Sequence, residues 1–448
     1  MMKKLDDEKR RQMILGGGIG KILITLAVPT LMMSLVQSLI PLSDGLFINN
    51  VAGTLVASAV TFCNPVISLA TALAVGLSAA AMAVIGQTFG RGDFSEVRRV
   101  STQTVVFGFS LGLCIIPVMI VLAFPISAYV TPEISDNVRL YIMLYAFVLP
   151  FSFMESIYNG IMNATGRPEK PFVRMVIMLV LKVAFNVVFI VWLRLGIVGC
   201  VLATFSANVA VCIWMFYELF LVKSSMQLTL KGFRFDRRII HRLVKIGVPS
   251  MLTQMIMSLG FVLINNETQK YGAIVLNGQG IANSITSVCY NVPSAFGSAV
   301  TTMVSMNMGS GNVDRARKST FWGCGFAAAA AVVIIAVVVP VSGHLTVLFT
   351  REPEVLEIAN RALKLYAYSV VGFGICAAVQ GAMIGLGRTK VPMVLGFLRI
   401  WLLRYVFILC TESFLAYYSV FWGNLFSNCV AAVIFLIFLA KMRWKVVN

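Results

Sequence analysis

The sequence predicts an all-α polytopic membrane protein, with twelve transmembrane helices arranged as two parallel six-helix repeats around a central cleft. Three observations predict it. Hydrophobic residues make up 59% of the chain and charged residues 12%, whereas a soluble domain carries about twice that charge. The apolar runs reach the ~20 residues a helix needs to cross a bilayer. A short basic turn between two such runs, QTFGRGDFSEVRRVS at 87–101, returns as MNMGSGNVDRARKST at 306–320. Gly90 and Gly92 match Gly309 and Gly311 at an offset of 219.

Taken in order, the charged N-terminus MMKKLDDEKRRQ leads into a full-length apolar span rather than the short core of a cleavable signal. Twelve spans are expected at about 22–48, 54–86, 97–124, 138–163, 171–194, 197–222, 240–267, 273–305, 318–349, 357–386, 391–414 and 416–440. The second span of each half is long enough to tilt or to extend beyond the bilayer. Pro41, Pro65, Pro117 and Pro293 fall inside spans, where proline kinks a helix. Of the Lys and Arg residues, 27 sit at the termini and in alternate connections, three of them in the 4–5 turn. Six sit on the opposite side, and Lys182, Arg399 and Arg404 lie inside spans. That bias places both termini in the cytoplasm.

The duplication extends along the chain. Pro29 matches Pro249, Pro132-Glu133 matches Pro353-Glu354, and Tyr145 matches Tyr366. NGIMNATGRPEKP at 159–171 matches QGAMIGLGRTKVP at 380–392, pairing Gly160 with Gly381 and Gly166 with Gly387. Six spans per half give both halves the same orientation, a parallel repeat. The expected division is an N-terminal six-helix lobe at 1–222, a cytoplasmic linker at 223–240 and a C-terminal six-helix lobe at 241–448.

The net charge of +18 does not point to nucleic acid, because the basic residues follow the topology. The nine cysteines lack metal-type spacing and fall mostly in apolar runs, so they read as small core residues. His241 and His344 are far apart, and Arg91-Gly92-Asp93 reads as a fortuitous tripeptide in a cytoplasmic turn. No nucleophile elbow, metal spacing or acid–base cluster suggests an enzyme.

The polar residues of the spans form stripes. Ser34, Gln37, Pro41 and Asp44 share one face of span 1 at helical spacing, and Gln254, Ser258 and Asn265 share one face of span 7. Asn283, Ser287 and Asn291 repeat the pattern in span 8. Single small polar residues commonly glue helices together, but stripes at equivalent places in both repeats fit a wet cleft. Asp44, Glu155 and Lys182 lie inside spans 1, 4 and 5, at roughly 2.5–3.5 kcal/mol each at a helix centre, so function or pairing is expected. Lys182 and Asn186 share a face, and a Lys182–Glu155 ion pair is one expectation. Arg399 either snorkels toward the cytoplasm or contacts substrate.

As a set, these features resemble the multidrug and toxic compound extrusion (MATE) family. The matches are the doubled repeat, Pro29 opening span 1, Asp44 late in it, the paired Gly-x-Gly turns, the TGRPEKP and LGRTKVP turns, and Asn186 followed by Gly196 and Gly199. The resemblance covers essentially the whole chain. It implies a secondary active antiporter that exports amphipathic, cationic organic compounds in exchange for protons or sodium by rocker-switch alternating access. It also implies ion coupling at Asp44. Asn186 matches the asparagine of an Asn-x-x-x-Asp pattern, but Ile190 stands where the family has the aspartate, and Lys182 precedes Asn186 by one turn. The ion-coupling set expected is therefore Asp44, Asn186, Glu155 and Lys182, with the proton favoured over sodium. Substrate contacts are expected from Ser34, Gln37, Gln254, Ser258, Asn265, Asn283, Ser287, Asn291 and Arg399. No cofactor or metal is expected beyond the coupling ion. The expected partners are a small organic substrate and the lipid bilayer, in a monomer of the plasma (inner) membrane. The alternative is a lipid-linked saccharide flippase of the same superfamily, for which Arg399, Arg404 and Lys182 argue and Asp44 argues against.

Topology is directly testable. In a cysteine-free background, cysteines at Ser95 and Asn312 are expected to be labelled only from the cytoplasmic side, and one at Asn137 only from outside. Labelling of Ser95 and Asn312 from opposite faces would contradict a parallel repeat.

Overall fold

In a computed structural model, the described residues (2–48, 51, 53–222 and 226–444) fold almost entirely into helices, with no strand among them. Residues 223–225 of the expected linker, and Lys445 of the charge count, lie outside the described residues. The charged helix α1 (Met2–Gly16) precedes α2 (Ile19–Phe47), α3 (Thr54–Arg91), α4 (Phe94–Ala128), α5 (Pro132–Ala146) and α6 (Leu149–Ala164). Helix α7 (Glu169–Asn186) runs into a π-helical segment, Val187–Trp192, and α8 (Gly196–Phe216) into another, Tyr217–Leu221. Then follow α9 (Arg237–Gln269), α10 (Ala273–Gly309), α11 (Val313–Val347) and α12 (Pro353–Gly385). Helix α13 (Lys390–Phe397) continues through a π segment, Leu398–Tyr405, into α14 (Val406–Leu415), and α15 (Tyr418–Lys441) closes the order.

The chain is an all-α integral membrane protein. Among the described residues, ten spans are each long and apolar enough to cross a bilayer. An eleventh arises if α5 and α6, which meet at 51°, act as one. The sequence suggested an unbroken span at 138–163. Pro150 explains the break, since in the first turn of α6 it has no N–H to continue the α5 ladder and its ring would clash with the carbonyl four residues back. Helix α10, expected as a span, is 37 residues long but carries Asn277, Gln279, Asn283 and Asn291 and is not among the ten. Pro65, Pro117 and Pro293 lie inside α3, α4 and α10 without interrupting them.

Two compact units emerge, Met1–Met13 with Met32–Met251, and Ile14–Leu31 with Leu252–Asn448. In the first unit, α1 docks on the glycine turns. Arg11 donates to the Gly90 carbonyl at 3.0 and 2.8 Å, and Arg10 donates to the Gly166 carbonyl at 2.8 Å while pairing with Glu169 at 2.6 Å. Arg167 pairs with the buried Asp7. In the second unit, Arg315 donates to the carbonyls of Ile14 and Gly17. The turns need glycine because the chain reverses through left-handed backbone, with φ of 82° at Gly92 and 83° at Gly311. Asp93 caps α4 by accepting from the Glu96 N–H at 3.0 Å, which holds its carboxyl below the usual carboxylate range.

Close packing recurs at matched positions. In the first unit a Cβ on Gly160 would lie 2.8 Å from the Ser78 carbonyl oxygen, where α6 crosses α3. In the second, a Cβ on Gly381 would collide with the Gly297 carbonyl oxygen, where α12 crosses α10. Neither backbone atom can yield as a flexible side chain would. Gly160→Val and Gly381→Val are each expected to cost at least about 1–3 kcal/mol by overpacking, read as lowered melting temperatures in detergent. Melting equal to wild type in both variants would contradict these contacts.

Candidate functional site

The site is built on one face of α7. Arg174, Met178, Lys182 and Asn186 follow one another at four-residue spacing, and all are buried. The upper half of that face meets α2. Lys182 Nζ lies 2.7 Å from Asp44 Oδ2, and Asn186 Nδ2 donates to Asp44 Oδ1 at 3.0 Å. Both carboxylate oxygens are thus engaged, one by an ammonium and one by an amide. Lys182 is 7% exposed and Asp44 21%, so Asp44 is the more accessible of the pair.

Both line a cavity of about 310 Å3 in the first unit, at the low end for a small-molecule site. Asp44 and Lys182 supply its charge, and Thr61, Asn64 and Thr204 add polar groups. The remaining wall is largely apolar and aromatic, with Ile40, Pro41, Val60, Ile67, Tyr141 and Tyr145. The two tyrosine rings sit 5.7 Å apart by centroid.

Glu155 is held elsewhere. Its Oε2 lies 2.7 Å from Arg174 Nη1, and Arg174 Nε donates to Asn159 Oδ1 at 3.3 Å. The expected Lys182–Glu155 pair is therefore replaced by two pairs, Lys182–Asp44 and Arg174–Glu155. Arg174, one of the three basic residues counted with the 4–5 turn, lies within α7, nearly inaccessible. Its spacing of eight from Lys182, two helical steps of four, was the available signal. Tyr141, Tyr145 and Thr204 were also not foreseen as site residues.

The other expected residues are spread more widely. Ser34 is half-buried on α2 and Gln37 exposed. Gln254, Ser258 and Asn265 are exposed on α9 in the second unit. On α10, Asn283 and Asn291 are half-buried, and Ser287 is exposed with its hydroxyl donating to the Ser284 carbonyl at 2.7 Å. Arg399 is buried in the second unit, over the ring of Phe373 at 5.3 Å. Among the described residues no group of three or more His, Cys, Asp or Glu is placed to hold a metal ion.

A helical membrane bundle with a carboxylate held at the wall of a small cavity has the construction of a membrane transporter. The chain belongs to the MatE family, whose model matches residues 29–188 and again 249–409. The second match begins 220 positions after the first, the spacing of Pro29 and Pro249. The chain is 24% identical to the "Probable multidrug resistance protein YoeA" of Bacillus subtilis, over 84% of this chain and 83% of that protein. It is 22% identical to the "Multidrug export protein MepA" of Staphylococcus aureus, over 95% of each. Its fold matches the solved outward-facing conformation of a multidrug resistance MATE family transporter of the MOP superfamily, with a TM-score of 0.90 at 21% identity. That match covers 95% of this chain and 96% of the solved one.

The Arg174–Glu155 pair gives a stability prediction. Arg174→Met leaves a buried carboxylate uncompensated and is expected to cost about 3–5 kcal/mol. Adding Glu155→Gln to it removes the stranded charge and is expected to restore most of the loss, measured by melting in detergent. A double variant no more stable than Arg174→Met would show that the pairing is not what sets the cost.

Proposed function

We propose that the protein is a multidrug efflux antiporter exporting amphipathic organic cations in exchange for protons, with Asp44 as the protonated group. The observation that carries this reading is the engagement of Asp44 by Lys182 and Asn186 at the wall of a largely apolar cavity. The multidrug names of the relatives agree with it.

The chemistry follows from charge balance. With Asp44 ionised, the Asp44–Lys182 pair is neutral, and the tyrosine faces of the cavity can hold an organic cation beside a carboxylate. When Asp44 takes a proton, Lys182 remains charged. The site then carries a net positive charge in a poorly screened setting, which expels a cation. Proton entry and cation exit are thereby tied to one residue. Sodium fits this arrangement less well, because a hard cation wants several oxygen ligands. Here one carboxylate oxygen already faces an ammonium, and Ile190 supplies no oxygen. An inward proton also gains about 2.3 kcal/mol per 100 mV of membrane potential. Ser34, Gln37, Gln254, Ser258, Asn265, Asn283, Ser287 and Asn291 are proposed substrate contacts during alternating access. The membrane is the plasma (inner) membrane, with both termini cytoplasmic.

The test is transport of a cationic dye by purified protein in liposomes, under an imposed pH gradient or an imposed sodium gradient. The pH gradient is expected to drive transport, and Asp44→Asn to abolish it. Sodium-driven uptake without a pH gradient, full pH-driven transport by Asp44→Asn, or movement of saccharide-linked lipids alone would overturn the proposal.

A further inference from the structure

Arg399 and Arg404 are 5% and 4% exposed. Among the described residues neither has a carboxylate at ion-pair distance. Glu267, which accepts from the neighbouring Tyr405 at 3.4 Å, is already paired with Lys270. On an α-helix two residues five apart diverge by about 140°. Here both lie in the π segment Leu398–Tyr405, whose i to i+5 repeat brings them onto one face. The repeat places no carboxylate here either. By the offset of 220 that relates Pro29 to Pro249, the position of Asp44 is taken by Ile264. The position of Lys182 is taken by Leu402, so neither member of the first unit's pair recurs, and the second unit holds two buried cations of its own.

Around them stands an assembled set of neutral hydrogen-bonding groups. Arg399 Nη1 reaches Asn428 Oδ1 at 3.5 Å, and Asn428 donates to Asn424 Oδ1 at 2.8 Å. Asn424 reaches the Tyr290 hydroxyl at 3.4 Å. The guanidinium of Arg404 lies 5.7 Å from the centre of the Phe261 ring, itself 42% exposed. Gln279 and Arg404 both approach the buried Tyr366 hydroxyl. Yet Arg404 Nε, the Tyr366 hydroxyl and both amide atoms of Gln279 are buried without a partner in hydrogen-bonding geometry. A buried guanidinium without a counterion is strongly disfavoured, and buried donors out of hydrogen-bonding geometry add to the cost. A group with several anionic oxygens answers the unpaired charge and the unmet donors together.

We infer that Arg399 and Arg404 form an anion site in the second unit, which takes a carboxylate or phosphate group from a soluble organic anion or a lipid headgroup. The site is separate from Asp44 and does not depend on the coupling ion. The planar guanidinium fork suits such oxygens in bidentate geometry, and Gln279 and Tyr366 supply further donors.

The test is the melting temperature of the purified full chain. It is measured in detergent with 1-naphthoate, and in nanodiscs of phosphatidylcholine alone or mixed with phosphatidylglycerol. At least one of the two anions is expected to stabilise the wild type, with 1-naphthoate indicating a soluble anion and phosphatidylglycerol alone a headgroup. Arg399→Gln and Arg404→Gln are each expected to weaken the apparent affinity about tenfold or more. Ile264→Asp sets a carboxylate within the cluster that Ile264 shares with Ile400 and Tyr366 and is expected to abolish the response in a folded protein, so it carries the test if the arginine variants do not fold. The inference is overturned if neither anion stabilises the wild type, if the glutamine variants respond as the wild type does, or if Ile264→Asp keeps the full response.

Discussion

A carboxylate shared between an ammonium and an amide inside an apolar bundle is the constraint on which the rest of the first unit depends. Asp44 and Lys182 are each expensive alone at membrane depth, and each is tolerable only because the other lies 2.7 Å away. That pairing fixes the rotation of α7 against α2, and the four-residue spacing then fixes what lies below. Arg174 faces inward on the same stripe and requires Glu155 in turn. Two acids and two bases balance within one unit. Only the upper pair opens onto the cavity.

The second unit keeps the scaffold and changes the chemistry. The glycine turns recur with nearly the same backbone angles, and the Gly160 and Gly381 contacts occupy matched places. Where Asp44 stands in one half, Ile264 stands in the other, and the corresponding helix carries Arg399 and Arg404 through a π turn. Duplication conserves what backbone geometry demands, while the buried charge differs between the units, paired in the first and without a carboxylate partner in the second.

Much of this was legible in the sequence. The helical class followed from composition, and the repeat from glycines that no other residue replaces without strain at positive φ. Asp44, Lys182 and Asn186 could be singled out because charge inside a span is costly. Their assembly could not be read, since which residue meets Lys182 depends on the rotation of neighbouring helices. Glu155 and Asp44 were equally available by position. Arg174 was misplaced because hydropathy blurs the end of a span just where a basic turn begins. The π segment at Leu398–Tyr405 left no compositional mark, so the shared face of Arg399 and Arg404 emerged only from the backbone. The break between α5 and α6 did have a signal in Pro150, masked by the apolar run around it.

The central claim is that Asp44 alternates between an ion pair and a protonated acid, and infrared difference spectroscopy of the purified protein between neutral and acidic pH tests it most directly. A protonated-carboxyl band that grows on acidification, shrinks when an organic cation binds and is missing in Asp44→Asn is the predicted result. A band that persists in Asp44→Asn, or that is indifferent to the cation, would contradict the account.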